Sequence, residues 1–273
     1  MAKKLSNLKK KNDFDFNDFK ESIYKVGLKK NDSIFLSTNL GILGVPKTTN
    51  TNYLLTTSRW LIKSVQSIIG KNGNIFVPTY SYSFTKKRRI YNPLTTKADI
   101  GYFPNFFLKQ PKVVRSLDPM MSIAGIGPNC EEVLLKISNN SFGKNCALER
   151  LFKIKNLKCC HIGLSYNWLP FMHYLDWKNN VPFRFDKKFY GYIKVNNMKK
   201  KVEWTYNARI LRDETFSNGY KIGLKALQKK LYSYYELGKS MIYLIDYKKF
   251  YKFSCSLTKN NKWLTVNGPK FKI

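Results

Sequence analysis

Apolar residues recur along this chain at two spacings, one typical of helices and the other of buried strands. Positions three and four residues apart predict helices over about 16–26 and 52–69. Short apolar runs at 33–37 and 74–77 predict buried strands, and a proline ends the second run. A strand, a helix and a strand in this order are typical of a right-handed crossover in an α/β sheet.

Weaker patterns predict further elements along the rest of the chain. Helices are expected at 103–109, 131–137, 148–154 and 215–229, strands at 122–126, 157–162 and 239–246, and a hairpin at 189–206. Residues 80–102 lack a clear period and predict a long loop over the sheet edge. We see no repeat or linker. We therefore predict one three-layer α/β domain over residues 1–273, with a central mixed sheet flanked by helices, a β-rich C-terminal part and a flexible basic tail at about 1–12.

Composition supports a folded chain and adds a strong positive charge. Apolar residues make up 43% and aromatic residues 15% of the 273 residues, which excludes a disordered protein. Forty-nine Lys and Arg against 17 Asp and Glu give a net charge of +32, which favours a nucleic acid, an anionic membrane surface or a phosphorylated small molecule as partner. A general excess of lysine on a solvated surface explains the charge equally well. The basic clusters are scattered along the chain, which makes a nucleic-acid partner a weaker prediction.

The sequence shows no clear signal for membrane insertion, secretion or metal binding. No apolar run reaches the roughly 20 residues of a membrane span, and no apolar region follows the basic N-terminus. The chain has five cysteines, Cys130, Cys146, Cys159, Cys160 and Cys255. None belongs to a CxxC pair, which argues against a cysteine-based zinc site. This cysteine usage suits a reducing cytoplasm, so we expect a cytoplasmic protein without metal.

Two histidines are present, and they lie in different patterns. His161 falls inside the apolar run 157–162, where a structural role is expected. His173 follows that run by a short loop, on a predicted helix that Pro170 opens. Asp176 is three residues further on and shares its face. Because ligands of α/β sheets bind beyond the carboxyl ends of strands, His173 is a candidate general base with Asp176 as its partner. A surface histidine in a local ion pair is the alternative.

Six segments in order resemble the aminoglycoside 3-N-acetyltransferase family. They are the strand and turn at 31–44, the strand at 73–79, the aromatic segment at 101–107, the Arg-Ser stretch and glycines at 114–127, the segments at 142–151, and the glycine and helix at 163–176. The resemblance covers about residues 16–250. It implies an N-acetyltransferase that takes its acyl group from acetyl-coenzyme A and acts on the amine of an amino sugar.

The resemblance also assigns roles to individual residues. His173 takes the proton of the attacking amine, and Asp176 fixes its tautomer. The donor side comprises Ser37, Thr38, Leu40, Thr79, Arg115, Ser116 and Ser122, of which Arg115 is expected to hold coenzyme A phosphates. The acceptor side comprises Tyr80, Asp118 and Glu149. An acyl-enzyme is not required, and no base is assigned beside Cys146.

The departures from the family pattern fall mainly on the acceptor side. Asp118 replaces a histidine, Asn105 a glutamate and Asp176 a glutamate, while Pro170 replaces a threonine and Cys146-Ala147 a Ser-Pro pair. The donor side is kept better. A catalytically inactive homologue is therefore one alternative.

Charge decides which acceptor we expect. The electrostatic field of a net charge of +32 repels a polycation and attracts a diphosphate. We therefore predict that the acceptor is the amine of a sugar nucleotide or surface-glycan precursor, with the loop 86–89 as a phosphate contact. Aminoglycoside acetylation that confers antibiotic resistance is the alternative. A basic nucleic-acid-binding protein is an alternative of another class. A homodimer is compatible with all three.

Overall fold

The computed structural model describes residues 14–48, 51–196 and 198–268, so the predicted tail at 1–12 lies outside the described residues.

The predicted strand–helix–strand unit is confirmed. Helix α1 (Phe16–Lys25) begins at Asp15, whose side chain accepts from the N–H groups of Asn17 and Asp18. Strand β1 (Ser33–Thr38), helix α2 (Tyr53–Ile69) and strand β2 (Ile75–Pro78) follow.

The remaining elements build the rest of the sheet and its helical layers. The strands are β3 (Ile90–Tyr91), β4 (Val114–Arg115), β5 (Ile123–Ile126), β6 (Leu157–Ile162), β7 (Arg184–Val195), β8 (Met198–Arg209), β9 (Ser233–Leu237) and β10 (Ser240–Asp246). The helices are α3 (Tyr102–Phe107), α4 (Cys130–Leu135), α5 (Ala147–Leu151), α6 (Met172–Lys178), α7 (Tyr220–Gln228) and α8 (Tyr247–Asn260). Short 3₁₀ turns lie at Leu40–Ile42, Ser83–Thr85 and Asp213–Thr215.

A central sheet of seven strands has the order β4-β5-β2-β1-β6-β10-β9. Strand β1 pairs in parallel with β2 and with β6, while the outer strands pair antiparallel. The sheet is therefore mixed, as predicted. Because β1, β2 and β6 run in one direction, their carboxyl ends meet at one edge of the sheet. We call this the carboxyl edge.

Side chains of alternate residues fill two cores, one on each face of the sheet. Phe35 and Phe76 belong to the core that helices α5, α6 and α8 cover. Ile34 and Leu36 belong to the core that helices α1, α2 and α3 cover. This alternation is what a strand buried on both faces requires, and it confirms the three-layer arrangement.

A second sheet of three strands has the order β3-β7-β8. The predicted hairpin is confirmed and is longer than expected, with Arg184 paired to Arg209 at its base. The loop predicted at 80–102 also contains β3, which pairs with β7. Within the described residues, no helix is both long and apolar enough to cross a membrane.

Candidate functional site

The carboxyl edge brings together segments that are far apart in sequence. Ser37 and Thr38 end β1 and lie in register with His161 and Ile162 at the end of β6. Gly163 follows β6 with φ +66°, and a Cβ there would lie 2.1 Å from the carbonyl oxygen of Asn39. Only glycine allows the turn after β1 to pack this closely onto the end of β6.

A tryptophan that sequence reasoning missed connects the two strand ends. The indole N–H of Trp168 donates to the hydroxyl of Ser37 at 3.0 Å, while 40% of the Trp168 surface stays exposed. Ser37 itself is buried, Thr38 is partly exposed, and Leu40 is part of the core. Of these three predicted donor-side residues, Thr38 therefore presents the most surface to a ligand, beside the open face of Trp168.

A cavity of about 500 Å³ lies next to this edge, and it is lined by Leu227, Gln228, Lys230, Tyr232, Tyr234, Met241 and Tyr243. The Met241 carbonyl accepts from the N–H of Gly163 at 3.2 Å, so the cavity borders the turn between the strand ends. The hydroxyl of Tyr232 donates to the carbonyl of Tyr166 on the loop that carries Trp168. Aromatic rings and a lysine are side chains that suit a nucleotide.

His173 lies on α6 at the same edge, but its predicted pairing with Asp176 is wrong. Arg184, at the start of β7, lies between the two side chains. Its Nη2 is 2.5 Å from Nδ1 of His173, and its Nε donates to Oδ2 of Asp176 at 2.8 Å. The hydroxyl of Thr265 donates to Oδ1 of Asp176 at 2.6 Å. Arg184 therefore separates the carboxylate of Asp176 from the ring of His173.

The charges around His173 oppose protonation of its ring. Burial lowers the pKa of His173 well below its usual range, and the neighbouring cations Arg184 and Arg209 lower it further. The ring packs on Phe142, with centroids 5.3 Å apart. Asp176 is almost completely buried; burial raises its pKa, and Arg184 offsets part of that effect. His173 is therefore neutral across the physiological range.

Four of the predicted donor-side residues form a buried polar cluster instead of a ligand surface: Thr79, Arg115, Ser116 and Ser122. Arg115 donates through Nε to the hydroxyls of Thr79 and Ser122, through Nη2 to the Thr79 carbonyl, and through Nη1 to the carbonyl of Thr96. The Ser116 hydroxyl accepts from the N–H of Ile123. The prediction that Arg115 holds a coenzyme A phosphate is therefore wrong, because the protein already satisfies each of its three nitrogens.

Asp118, a predicted acceptor-side residue, is buried in a network of hydrogen bonds. Its Oδ1 accepts from the N–H groups of Met120 and Met121 and from the hydroxyl of Ser141, at 2.8 to 2.9 Å. Three protein donors therefore hold Oδ1, and a ligand would have to bind through Oδ2. Trp204 donates to the same Ser141 hydroxyl, and Phe142 is the next residue along the chain. Asp118 is thus joined through 141–142 to the ring of His173.

Burial raises the pKa of Asp118 to about 6, from 3.8 for an ordinary aspartate. A carboxyl group with a raised folded-state pKa binds protons more tightly in the folded chain. We expect it to reduce stability as the pH rises from about 4 to about 6, by up to about 3 kcal/mol. Asp118→Asn keeps the Oδ1 acceptor and removes this charge. The variant should match the wild type near pH 4 and unfold at higher urea concentration near pH 7. An equal difference at both pH values would contradict the assignment.

The other two predicted acceptor-side residues, Glu149 and Tyr80, lie in different surroundings. Oε1 of Glu149 accepts from the Tyr174 hydroxyl at 2.8 Å, and its Oε2 accepts from the N–H of Asn145. Protein partners therefore hold both carboxylate oxygens of Glu149, which argues against its predicted role in binding the acceptor. Tyr80 is buried beside Tyr82, with ring centroids 6.4 Å apart. Tyr82 has a left-handed backbone with φ 45°, a strained conformation for an aromatic residue and a common sign of a functional segment.

The remaining titratable candidates are unsuited to catalysis. Cys146 is fully buried; burial raises the pKa of its thiol to about 11, and its Sγ accepts from the N–H of Glu149. His161 is fully buried with no hydrogen-bond partner on either ring nitrogen, and burial lowers its pKa to about 3. Both are therefore side chains of the core. Within the ranges 14–48, 51–196 and 198–268, no cluster of acidic, histidine and cysteine side chains could hold a metal ion.

Comparison with known proteins agrees with this fold. The sequence model of the aminoglycoside 3-N-acetyltransferase family matches residues 48–258. No curated protein matches the chain in sequence. Solved structures of aminoglycoside acetyltransferases are similar in fold, and three of them serve as examples. Aminoglycoside acetyltransferase AAC(3)-Xa has a TM-score of 0.79 at 15% identity, over 98% of this chain and 99% of that one.

The other two structures were determined with ligands. AAC-IIIb, described as binary with CoASH, has a TM-score of 0.76 at 14% identity, over 94% of this chain and 99% of that one. AAC-VIa, described as sisomicin bound, has a TM-score of 0.76 at 14% identity, over 90% of this chain and 98% of that one. The predicted resemblance is confirmed because the family match covers more than half of the chain. This chain is an acetyltransferase of the aminoglycoside 3-N-acetyltransferase family.

Proposed function

We propose that this protein transfers an acetyl group from acetyl-coenzyme A to the amine of an amino sugar at the carboxyl edge. The observation that supports the proposal is the position of His173, one short loop beyond β6. The last residues of β6 pair in register with Ser37 and Thr38 at the end of β1. Membership of the family supplies the reaction class. The edge supplies a neutral polar ring, a buried carboxyl group and an exposed indole face.

The residues present fit an acyl donor with a nucleotide end. Acetyl-coenzyme A supplies a thioester that an amine can attack. Thr38 and the open face of Trp168 would line its narrow acyl arm, and the cavity with Tyr232, Tyr234 and Lys230 would take the adenosine phosphates. That AAC-IIIb is described with CoASH supports a donor of this kind.

An aminoglycoside is the acceptor that the comparisons support best. The family is described by that activity, and AAC-VIa is described with sisomicin, so this alternative is favoured over the sugar nucleotide that charge alone predicts. On this chain, Oδ2 of Asp118 would bind an ammonium group of the acceptor. Asp118 is buried, so a charge pair at this position would be strong.

The charge distribution at the site favours a second candidate, an amino sugar that carries a phosphate or diphosphate. Arg184 and Arg209 are the cations that act on His173, whereas Asp176 and Glu149 are already committed to protein partners. The basic loop after Tyr82 is exposed. In that loop Lys86 pairs with Asp99 at 2.8 Å, which leaves the neighbouring residues 87–88 as candidate phosphate contacts.

A side-by-side assay of thiol release separates the two acceptors. We expect acetyl-coenzyme A to be consumed with sisomicin-type aminoglycosides faster than with an amino-sugar nucleotide at physiological salt. Asp118→Asn should then raise KM for the aminoglycoside, and Asp99→Asn, on the exposed loop, is the matched control that should not. Faster turnover of the nucleotide, lost when Lys87 and Arg88 are replaced by alanine, would establish the second candidate instead. Thiol release with neither acceptor would refute both.

A further inference from the structure

The contact between Arg184 and His173 fixes where the proton of the imidazole lies. A guanidinium group has five N–H donors and no acceptor. Its Nη2 is 2.5 Å from Nδ1 of His173, so Nδ1 must accept a hydrogen bond and cannot carry a proton. A neutral imidazole with a bare Nδ1 carries its proton on Nε2. The ring nitrogen left for a ligand is therefore a donor.

We propose that Arg184 is a positioning residue that holds His173 as the Nε2–H tautomer, so that His173 offers a bound ligand a hydrogen-bond donor instead of a base. The assignment of the tautomer rests on the contacts of the free protein. Its consequence for acetyl transfer rests on the proposed function.

Arg184 is held from three sides and cannot easily release His173. Its Nε is bound by Asp176, its Nη1 donates to the carbonyl of Asn207 at 3.0 Å, and its Nη2 meets the histidine. Only 3% of the Arg184 side chain and 1% of the Asp176 side chain are exposed. Thr265 fixes the second oxygen of Asp176. An arginine held in this way presents one N–H to Nδ1 in a defined direction.

The surroundings of the ring favour the same state. The charged groups that act on His173 are Arg184 from β7 and Arg209 from β8, both cations, and the carboxylate of Asp176 lies on the far side of Arg184. Phe142 packs against the ring from the loop before α5. A second proton on Nδ1 would point at a guanidinium group. Burial and the two cations also lower the pKa of His173, which keeps the ring uncharged.

A donor at Nε2 has a specific use in acetyl transfer. The neutral amine of the acceptor attacks the carbonyl carbon of the thioester, and a C–N bond forms while negative charge collects on the carbonyl oxygen. The Nε2–H group of His173 can donate to that oxygen. The C–S bond then breaks, the charge leaves on the thiolate, and the proton of the attacking nitrogen passes to the sulfur. His173 keeps its proton throughout.

Nitrogen-15 NMR of the intact protein tests the tautomer without any substrate. The chain has only two histidines, so the rings of His161 and His173 can be assigned by replacing either one. We expect His173 to show a pyridine-type Nδ1 and a pyrrole-type Nε2 near pH 7, and to stay neutral well below pH 6. A pyrrole-type Nδ1, or a ring that titrates near its ordinary pKa of about 6.5, would overturn the proposal. Either result would leave the proposed acetyl transfer untouched.

A variant shows whether Arg184 is the cause. Arg184→Met combined with Asp176→Leu removes the donor to Nδ1 together with both charges of the buried pair, which protects the fold better than removing one charge alone. We expect the two tautomers of His173 to mix and its pKa to rise toward about 6.5. Arg209→Gln is the matched control, because it removes the other cation and should leave the tautomer unchanged. The signals of His161 serve as an internal reference. An unchanged Nε2–H tautomer in the double variant would show that Arg184 does not set it.

Discussion

Replacing His173 with alanine is expected to lower kcat for acetyl transfer by about 10²- to 10³-fold, the usual effect of losing one donor to a developing oxyanion. Binding of the donor should change little, since His173 does not line the cavity and Trp168 bonds to Ser37 instead. The measurement is steady-state thiol release with acetyl-coenzyme A and the better acceptor, together with a calorimetric titration of the donor.

Glutamine at the same position separates a donor from a base. The amide N–H₂ of His173→Gln can replace Nε2–H as a donor, but an amide cannot accept a proton at neutral pH. We expect His173→Gln to recover part of the activity that the alanine variant loses. Replacing the buried His161 by phenylalanine is the control, with kcat expected to stay near that of the wild type. If the glutamine variant is as inactive as the alanine variant, the general-base role predicted from the sequence gains support.

Breaking the buried pair of Arg184 and Asp176 is expected to destabilise the fold by about 3–5 kcal/mol. Asp176→Ala leaves the guanidinium group without its counter-charge in a nearly water-free position, and Thr265 loses its acceptor. The double variant Arg184→Met with Asp176→Leu leaves no unpaired charge, so its loss should be much smaller. Urea unfolding of Arg184→Met, of Asp176→Leu and of the double variant gives the coupling energy directly.

An exposed ion pair of similar length is the control for that experiment. Lys188 and Glu203 lie 2.9 Å apart on the β7–β8 hairpin, with 62% and 42% of their side chains exposed. Water screens this pair, so Glu203→Ala should change the urea midpoint far less than Asp176→Ala. Equal effects from the two alanine variants would mean that burial does not decide the strength of the Arg184–Asp176 pair.

The first elements of the fold could be predicted from the sequence because their apolar residues recur at regular spacings. In α1, β1, α2 and β2 the apolar residues lie at buried positions, so their spacing shows the period of the core, although α2 also buries several hydroxyl side chains. Helix α8 shows why the rest is harder. Its buried face includes Phe250, Ser254 and Thr258, and the two hydroxyls donate to backbone carbonyls one turn earlier. Because two of these positions are polar, the helical period of the core is hidden.

Short outer strands escape prediction for another reason. Strand β4 is two residues long, and β9 at the edge of the sheet is mostly exposed and rich in tyrosine. Neither carries an apolar run. Their place is set by pairing with β5 and β10, which is a tertiary contact.

The candidate site, like the fold, could be predicted from the sequence only in part. His173 could be predicted at the carboxyl edge because it follows a strand end, whereas Asp118 is a candidate only through the resemblance to the family. Arg184 could not be placed, since it is eleven residues beyond His173 on another strand, and only the fold brings its guanidinium group to the ring. Arg115 shows the opposite error. An arginine in a polar motif suggests a phosphate contact, yet its burial beneath the loop 92–96 makes it part of the scaffold.

Acetyl transfer from acetyl-coenzyme A to an amine at the carboxyl edge is the activity that we propose. It is tested most directly by incubating the protein with acetyl-coenzyme A labelled with ¹³C in the acetyl group and with a sisomicin-type aminoglycoside, and then recording the carbon spectrum. We expect the thioester signal to be replaced by an amide signal on the acceptor, at a rate that falls at least about 10²-fold in His173→Ala. A thioester that is stable with every amino sugar tested, or an amide formed equally fast by the His173→Ala protein, would contradict this account.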